Sequence, residues 1–518
     1  MAGPSHKALF HKFRDDTVIN RCEQYAKWTL PYLMADLQEV SSSGRVLVER
    51  DFQEIGALFT NHLASKLTRL LFPTQYPFFQ AGASGAFKAA AAQQGMDEDA
   101  VRGMFARIEM SANKRLFVNS GYAGLILALK HLIVTGQVLL HRDSGKGVVT
   151  AYGLQSFATR RDSIGGLLDC VLREYTTVEA LPEEFQAALR AAHGSKYGRP
   201  EQPVEKYTRI HRVVRKGVEG HEVSQEVDTV SVGDPSWYPK NLCPWMCPTW
   251  VLIPGEHYGR GMVEDYAGGF ARLSTLSEAA ALYGVEIMRV VHLVGAGAGS
   301  DIDELAESES GEWVRGDPNT IAVHEAGDSR KLEVVEAQLE RVIARLAKAF
   351  MYQGATRDAE RVTAYELQRD AQEAEYALGG VYSTLSGGIQ VPLAHILMTE
   401  VSELVLPGII TGELAPDVTA GIPALGRSSD VQNLLLAAQE LGAVLPVTQL
   451  DKRIDPQRVT DMVLTGRSID TTAIYYTPEQ QKQNADAASS MESAQQNLLQ
   501  AGTLSDQSGQ ITDTLQGA

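Results

Sequence analysis

The feature that most constrains this chain is a helical run of unusual length, near residues 363–400. It opens on Thr363-Ala-Tyr-Glu366, a capping box: the threonine oxygen accepts a backbone N–H and the glutamate reaches back to the cap. Leu367, Ala371, Ala374, Leu378, Val381, Tyr382 and Leu385 then recur at fours and threes, nearly a heptad. A continuous helix of that length spans about 55 Å, too long for a small compact domain, so it is expected to line up against copies of itself. Gly379-Gly380 inside it predicts a bend. Just upstream, Leu332–Met351 predicts a cleanly amphipathic helix. Leu339, Val342, Ile343, Leu346 and Phe350 form its apolar stripe, with Glu336, Glu340, Arg341, Arg345 and Lys348 mostly outside it.

The rest of the chain divides by period. Helices are expected over Asp16–Leu30 (stopped by Pro31), Phe52–Phe72 (closed by Pro73), Ala89–Gln93, Asp97–Met110 and Gly121–Val134, where Gly136 breaks the run. Gln137–Arg142 has strand composition. Between about 146 and 254 the period shifts towards two, with strands expected at Val148–Tyr152, Tyr207–Lys216, Glu222–Val232 and Thr249–Ile253, and a helix at Pro182–His193. Met262–Met288 reads as one long helix that tolerates Gly268 and Gly269, and Val290–Val323 as short strands and loops. Shorter helices follow Pro407, including Val431–Leu441 and Pro456–Leu464. The segment Thr477–Ala518, with nine Gln and one Lys, predicts a frayed or weakly helical tail. The fold class is therefore α+β and mostly helical.

With 518 residues the chain has room for about three domains. A hydrophobic share of 44% excludes wholesale disorder. Lys plus Arg number 47 against 64 Asp plus Glu, a net charge of -17. That balance excludes a surface that grips nucleic acid everywhere, because such grip is phosphate neutralisation by Lys and Arg. Four cysteines make no disulfide framework, and Met1–Arg14 has no signal-peptide core. Lys130 and His131 interrupt the most apolar stretch, Tyr122–Leu140, so no membrane association is expected and assembly is expected in a reducing cytoplasm.

Short motifs point away from chemistry. Gly295-Ala-Gly297-Ala-Gly299 lacks dinucleotide-fingerprint spacing and any Lys-Ser/Thr pair, and reads as a loop. Asp301, Asp303 and Glu312 sit at calcium-loop positions one, three and twelve, but Leu305 and Ala306 occupy positions that need a ligand and a glycine. With Glu304, Glu307 and Glu309 they make an acidic face, not a metal site. Cys243-Pro-Trp-Met-Cys247 is one residue too wide for a redox C-x-x-C and too poor in ligands for structural zinc, so it reads as buried free thiols. Gly82-Ala-Ser84-Gly85-Ala86 misses a nucleophile elbow, and His324-Glu325 lacks a second histidine. No catalytic, metal or cofactor residues are assigned.

A set of stretches in fixed order carries a resemblance. They are Cys22-Glu-Gln-Tyr-Ala-Lys-Trp-Thr-Leu-Pro31, Leu63-Ala-Ser-Lys-Leu67 through Leu71-Phe-Pro73, and Gly136-Gln-Val-Leu-Leu140. Glu256-His-Tyr-Gly-Arg260, Arg345-Leu-Ala-Lys-Ala-Phe350, Glu360-Arg-Val-Thr-Ala-Tyr-Glu366 and Leu378-Gly-Gly-Val-Tyr-Ser383 follow. Over about residues 15–480 the chain resembles the portal, or head-to-tail connector, proteins of short-tailed podoviruses of the autographivirus type.

That resemblance implies a dodecameric ring at one capsid vertex, in the virion at the head-tail junction. The ring would be a channel for double-stranded DNA in packaging and ejection. Other implied partners are the terminase packaging motor, a tail adaptor, major capsid and scaffolding proteins, and internal core proteins. The implied division is a wing (1–261), stem helix (262–287), clip (288–331), second stem helix (332–350), tunnel loop (351–362), long wing helix (363–405), crown (406–480) and tail (481–518).

In that frame Tyr352, Gln353, Arg357 and Arg361 belong to the tunnel loop. Arg345 and Lys348 face the channel, and the acidic residues from Asp301 to Glu312 dock partners. Two other readings remain: a nuclease-like DNA-processing enzyme and a generic coiled-coil scaffold.

Overall fold

Ser5 and Asp15 start the first two helices by the same chemistry. Ser5 Oγ accepts from the Ala8 N–H and Asp15 from the N–H groups of Thr17 and Val18, each satisfying donors that a helix start leaves open. The helices are α1 (His6–Phe13) and α2 (Asp16–Trp28). The computed structural model describes residues 4–35, 49, 51–74, 77–85, 87, 89, 93, 98–118, 121–287, 290–294, 307, 321–325, 329–352 and 380–418. The chain divides into two units, Met1–Ala424 and Leu425–Ala518, and every described residue belongs to the first. The expected helices at 431–441 and 456–464 and the Gln-rich tail lie outside the described residues.

The helical body follows the sequence pattern. α3 (Ile55–Leu71) buries Phe59, Leu63, Leu67, Leu70 and Leu71, and α4 (Glu98–Val118) runs further than the expected Met110. α5 (Gly121–Thr135) buries most of its length. It stops at Gly136, whose φ of +78° is left-handed and whose absent Cβ would lie 2.3 Å from the Arg260 carbonyl carbon. Among the described residues no single helix is long and apolar enough to cross a membrane.

The middle of the chain is antiparallel sheet. β2 (Leu139–Asp143), β3 (Val148–Tyr152) and β9 (Trp245–Met246) form a three-stranded sheet in the order β3-β2-β9. β4 (Phe157–Arg161), β5 (Leu167–Thr177), β6 (Pro203–Arg215), β7 (Val218–Val227) and β8 (Val230–Pro239) form a five-stranded meander in chain order. α6 (Glu183–His193) packs beside it, as the sequence predicts. Leu9 and Phe10 of α1 pack on Ala158, Val171 and Tyr207 of the meander.

Two strand expectations fail, each for a local reason. The run Glu222–Val232 is split by a turn at Asp228-Thr229, both at positive φ. The Tyr197 hydroxyl, at 2.5 Å, and the Glu205 N–H, at 3.2 Å, hold the Asp228 carboxylate there. Thr249–Ile253, between Pro248 and Pro254, makes only isolated bridges, Gln137 to Thr249 and Val251 to Arg260. Conversely β4 and β5 carry charge at interior positions, which hid them. Asp169, 1% exposed, accepts from Arg160 and Arg209 at 2.7 Å and meets His211 Nδ1 at 2.8 Å.

The expected single helix over 262–288 breaks at Tyr266 into α7 (Met262–Asp265) and α8 (Ala267–Ile287). β10 (Val290–Val294) pairs with β11 (Ile321–Glu325), and α9 (Ser329–Ala349) follows. The described part of the long helical run starts at Gly380. α10 (Val381–Leu385) passes through a π turn, Ser386–Gln390, into α11 (Val391–Val401). The Val391 N–H bonds the Ser386 carbonyl five residues back, the widening that lets Pro392, without an N–H, sit in the next turn.

Far from lying against copies, this half of the run is sunk in its own chain. Leu393, Ala394, His395, Ile396, Leu397 and Met398 are all buried. Gln390 Nε2 donates to the Leu71 carbonyl at 2.6 Å. Glu400 receives Arg142, 1% exposed, through two N–H groups at 3.0 and 2.9 Å, and Arg115 at 2.9 Å. α12 (Leu406–Thr411) then leads to β12 (Leu414–Val418), which pairs with β1 (Phe79–Ala83).

Burial drives the His131 pKa down to about 4, so the native ring is neutral. A lowered histidine contributes stability that is complete above the unfolded value near 6.5 and is lost as pH falls through the folded value. This one group is expected to remove about 3 kcal/mol between about pH 6.5 and pH 4. His131→Leu should flatten that part of the profile in urea titrations.

Candidate functional site

α8 and α9 form an antiparallel pair closed by the β10–β11 ladder, which runs from Val290 opposite Glu325 to Val294 opposite Ile321. Gly269 permits a close approach, since a Cβ there would lie 3.1 Å from Leu346 Cδ2. Arg272 donates to Gln338 at 2.9 Å across the pair, and Ser274 Oγ ties α8 to Asp51 at 2.7 Å.

The foot of the pair is an aromatic cluster around Phe350, which has no exposed surface. Its ring stacks on Phe59 at 6.0 Å, meets Phe270 edge-on at 5.6 Å and lies 6.0 Å from Tyr266. Of the stripe, Val342, Leu346 and Phe350 are buried in their own chain, and Leu339 and Ile343 are half-buried.

Immediately after it the backbone reverses without a glycine. Met351 takes a φ of +53°, its N–H bonds the Lys348 carbonyl at 3.3 Å, and the Tyr352 N–H bonds the Ala347 carbonyl at 2.8 Å. This is a Schellman stop carried by methionine. Tyr352 is half-buried, 5.3 Å from Phe59 and 5.1 Å from His62.

Gln353, Arg357 and Arg361, and likewise Asp301, Asp303, Glu304, Glu309 and Glu312, lie outside the described residues. Glu307 is described and exposed. Arg345 and Lys348 are exposed on the last turns of α9, in one row with exposed Arg341. Like charges at these spacings repel, and the negative end of the helix dipole only partly offsets this. A row of this kind favours a nearby polyanion.

The sequence reading missed the outer face of the pair. Leu282 is 61% and Val285 64% exposed on α8, and Val334 is 58% exposed on α9. The signal was present: α8 is rich in Ala and Leu all the way round, as a helix covered on both sides would be.

The stretch Glu256–Arg260 ties the start of α7 to α1 and to the turn after α5. Arg260 bonds Glu256 at 2.6 Å and holds its carboxyl below the usual range. Tyr258 donates to the Phe13 carbonyl at 2.7 Å, and Gly259 N–H to Gln137 Oε1 at 3.0 Å. A cavity of about 690 Å³ opens here, but cations on its rim are engaged: Arg14 with Asp16, Arg160 with Asp169, Arg260 with Glu256. Among the described residues no three His, Cys, Asp or Glu side chains converge to hold a metal ion.

Residues 7–475 match the family model of the bacteriophage head to tail connecting protein. The chain is 41% identical to the portal protein of Pseudomonas phage phiKMV over 502 residues, 96% of this chain and 97% of that protein. It is 32% identical to that of Enterobacteria phage SP6 over 85% of this chain and 83% of that one. With that of Escherichia phage T7 the identity is 29%, over 96% and 92%. Among solved structures, the neck of an empty GTA particle aligns at TM-score 0.36 and 14% identity, over 78% of this chain and 93% of that one.

Phe350→Ala empties the centre of the aromatic foot. It should lower stability by about 3–5 kcal/mol in denaturant titrations.

Proposed function

The chain belongs to the family of bacteriophage head-to-tail connecting proteins, the portal proteins of podoviruses, and from that premise we propose that twelve copies close into a ring around a DNA channel. Its place is the head-tail junction of the virion. The ring passes the genome inward in packaging and outward in ejection, and makes or breaks no covalent bond. The observation that carries this reading is the uncovered apolar face of the helix pair, Leu282, Val285 and Val334. A second copy set head-to-tail covers it, and a heterologous contact repeated around an axis closes into a ring.

In this reading residues 262–287 and 332–350 are the stem and 288–331 the clip. The clip's acidic run docks the terminase motor and then the tail adaptor. Residues 351–362 are the tunnel loop, 1–261 and 363–405 the wing, and 406–480 the crown. Capsid, scaffolding and internal core proteins meet the outer and upper surfaces.

Charge sets how DNA behaves in the channel. A chain of net charge -17 repels a duplex, so the duplex slides. Arg345 and Lys348, followed by Arg357 and Arg361 in the loop, offer weak, salt-sensitive phosphate contacts that act as a valve.

Leu282→Asp with Val285→Asp should leave the single chain folded, since both side chains are exposed in it, and abolish rings in negative-stain images. Persisting closed rings overturn the assembly. Arg345→Glu with Lys348→Glu should still build heads that package but then lose DNA. Full genome retention in purified heads discards the valve.

A further inference from the structure

Two thiols far apart in sequence meet between the sheets. Cys170 lies in β5 with no exposed surface, and Cys247, directly after β9, is half-buried. One side chain and one strand register bring them together: Gln137 Nε2 donates to Thr159 Oγ1 at 3.1 Å, and Thr159 stands opposite Cys170 across β4 and β5. Gln137 Nε2 donates to Cys247 Sγ at 3.2 Å, and Arg161 Nη2 lies 3.5 Å from the same sulfur.

Arg161 is the cation beside that sulfur. It is 7% exposed; its guanidinium donates to the carbonyls of Gly165 at 3.0 Å and Cys247 at 2.8 Å, and its Nε is buried with no partner. Among the described residues these contacts include carbonyls and a sulfur but no carboxylate. A guanidinium stays protonated, and a buried charge needs a counter-charge. The nearest group on which negative charge can settle is the Cys247 sulfur. The neighbouring Cys170 thiol above all, then Arg161 and Gln137, hold the Cys247 thiol below its ordinary range against the opposing pull of burial. Burial pushes Cys170 well up, and the charge of Asp169 adds to it. Tyr258, facing Cys170, is pushed up by burial and stays neutral. The other two thiols, Cys22 and Cys243, are buried and raised to about 12.

A half-buried cysteine whose thiol is held below its ordinary range beside a buried guanidinium, next to a second thiol, is the arrangement of a thiol redox pair. We propose that Cys247 and Cys170 are such a pair, attacking and resolving thiol respectively, which a peroxide closes into a disulfide tying the five-stranded meander to the end of β9. The Cys247 thiolate attacks one peroxide oxygen; the O–O bond breaks, sulfur is oxidised to sulfenic acid, and the leaving hydroxide takes a proton to become water. The Cys170 sulfur then attacks the sulfenic sulfur. The S–O bond breaks, its oxygen leaves as a second water with the Cys170 proton, and the S–S bond forms. Two thiols and one peroxide become one disulfide and two waters.

The sequence spacing concealed this, since it set Cys247 beside Cys243, whereas the partner in space is 77 residues away. The pair is independent of ring assembly, and its test reads chemistry on the assembled protein. The assembled full-length protein is treated with hydrogen peroxide, blocked with N-ethylmaleimide, digested and analysed by mass spectrometry. A Cys170–Cys247 linked peptide that dithiothreitol removes is expected, with Cys22 and Cys243 recovered as thiols. In Cys170→Ser, dimedone should trap a sulfenic acid on Cys247 at about tenfold the wild-type yield. In unaltered protein, iodoacetamide should label Cys247 with a pH midpoint below the ordinary thiol range. The proposal is overturned if wild-type Cys247 oxidises to sulfinic acid without the link, if it pairs with Cys243, or if Cys22 or Cys243 reacts as fast.

Discussion

The burial of Phe350 between Phe59, Phe270 and Tyr266 is the contact on which the helix pair depends. α8 and α9 meet the body at this foot, and Ser274 ties α8 to Asp51 one turn further on. Phe59 of α3 and the Tyr266 and Phe270 rings about the start of α8 converge on Phe350, so the direction of the pair is set by packing and not by the helices themselves. The Schellman stop at Met351 and the docking of Tyr352 on Phe59 and His62 then fix where α9 ends.

The apolar surface of the pair is divided between two uses. Val342, Leu346 and Phe350 of the α9 stripe are buried inside the chain, and the less patterned α8 keeps Leu282 and Val285 in the open. A single exposed aliphatic side chain means little, but two on one helix, with Val334 exposed on its neighbour, form the apolar surface that the proposed ring contact would cover. Arg341, Arg345 and Lys348 stand in one exposed row on a chain of net charge -17, and their mutual repulsion is what the proposed valve would use.

Behind the pair, the body is held by buried charge with its partners in place. Glu400 gathers Arg142 and Arg115 from the strand and helix that precede it by hundreds of residues, and Asp169 gathers two arginines and a histidine. Removing one member of such a cluster leaves the others charged and dry, which is why these sites hold a single arrangement. Arg161 is the exception, a buried guanidinium that meets a cysteine sulfur and carbonyls where its neighbours meet carboxylates.

Helices α2, α3, α5, α6 and α9 were legible in the sequence, because the 3.6-residue period and its stop signals, such as Gly136, are local. So were the acidic balance and the ordered stretches that tie the chain to its family. The strands β4 and β5 were not legible, because the partners that make Asp169 tolerable come from other strands. The turn at Asp228-Thr229 was hidden for a related reason: Tyr197 and Glu205 hold it from outside the segment. Periodicity identifies an apolar stripe but does not say what lies on the other side of it. Only the tertiary structure decided that the stripe of α9 and the run 381–401 turn inward, that α8 keeps an open face, and that Cys247 meets Cys170. Each of those outcomes depends on atoms brought together from distant parts of the chain.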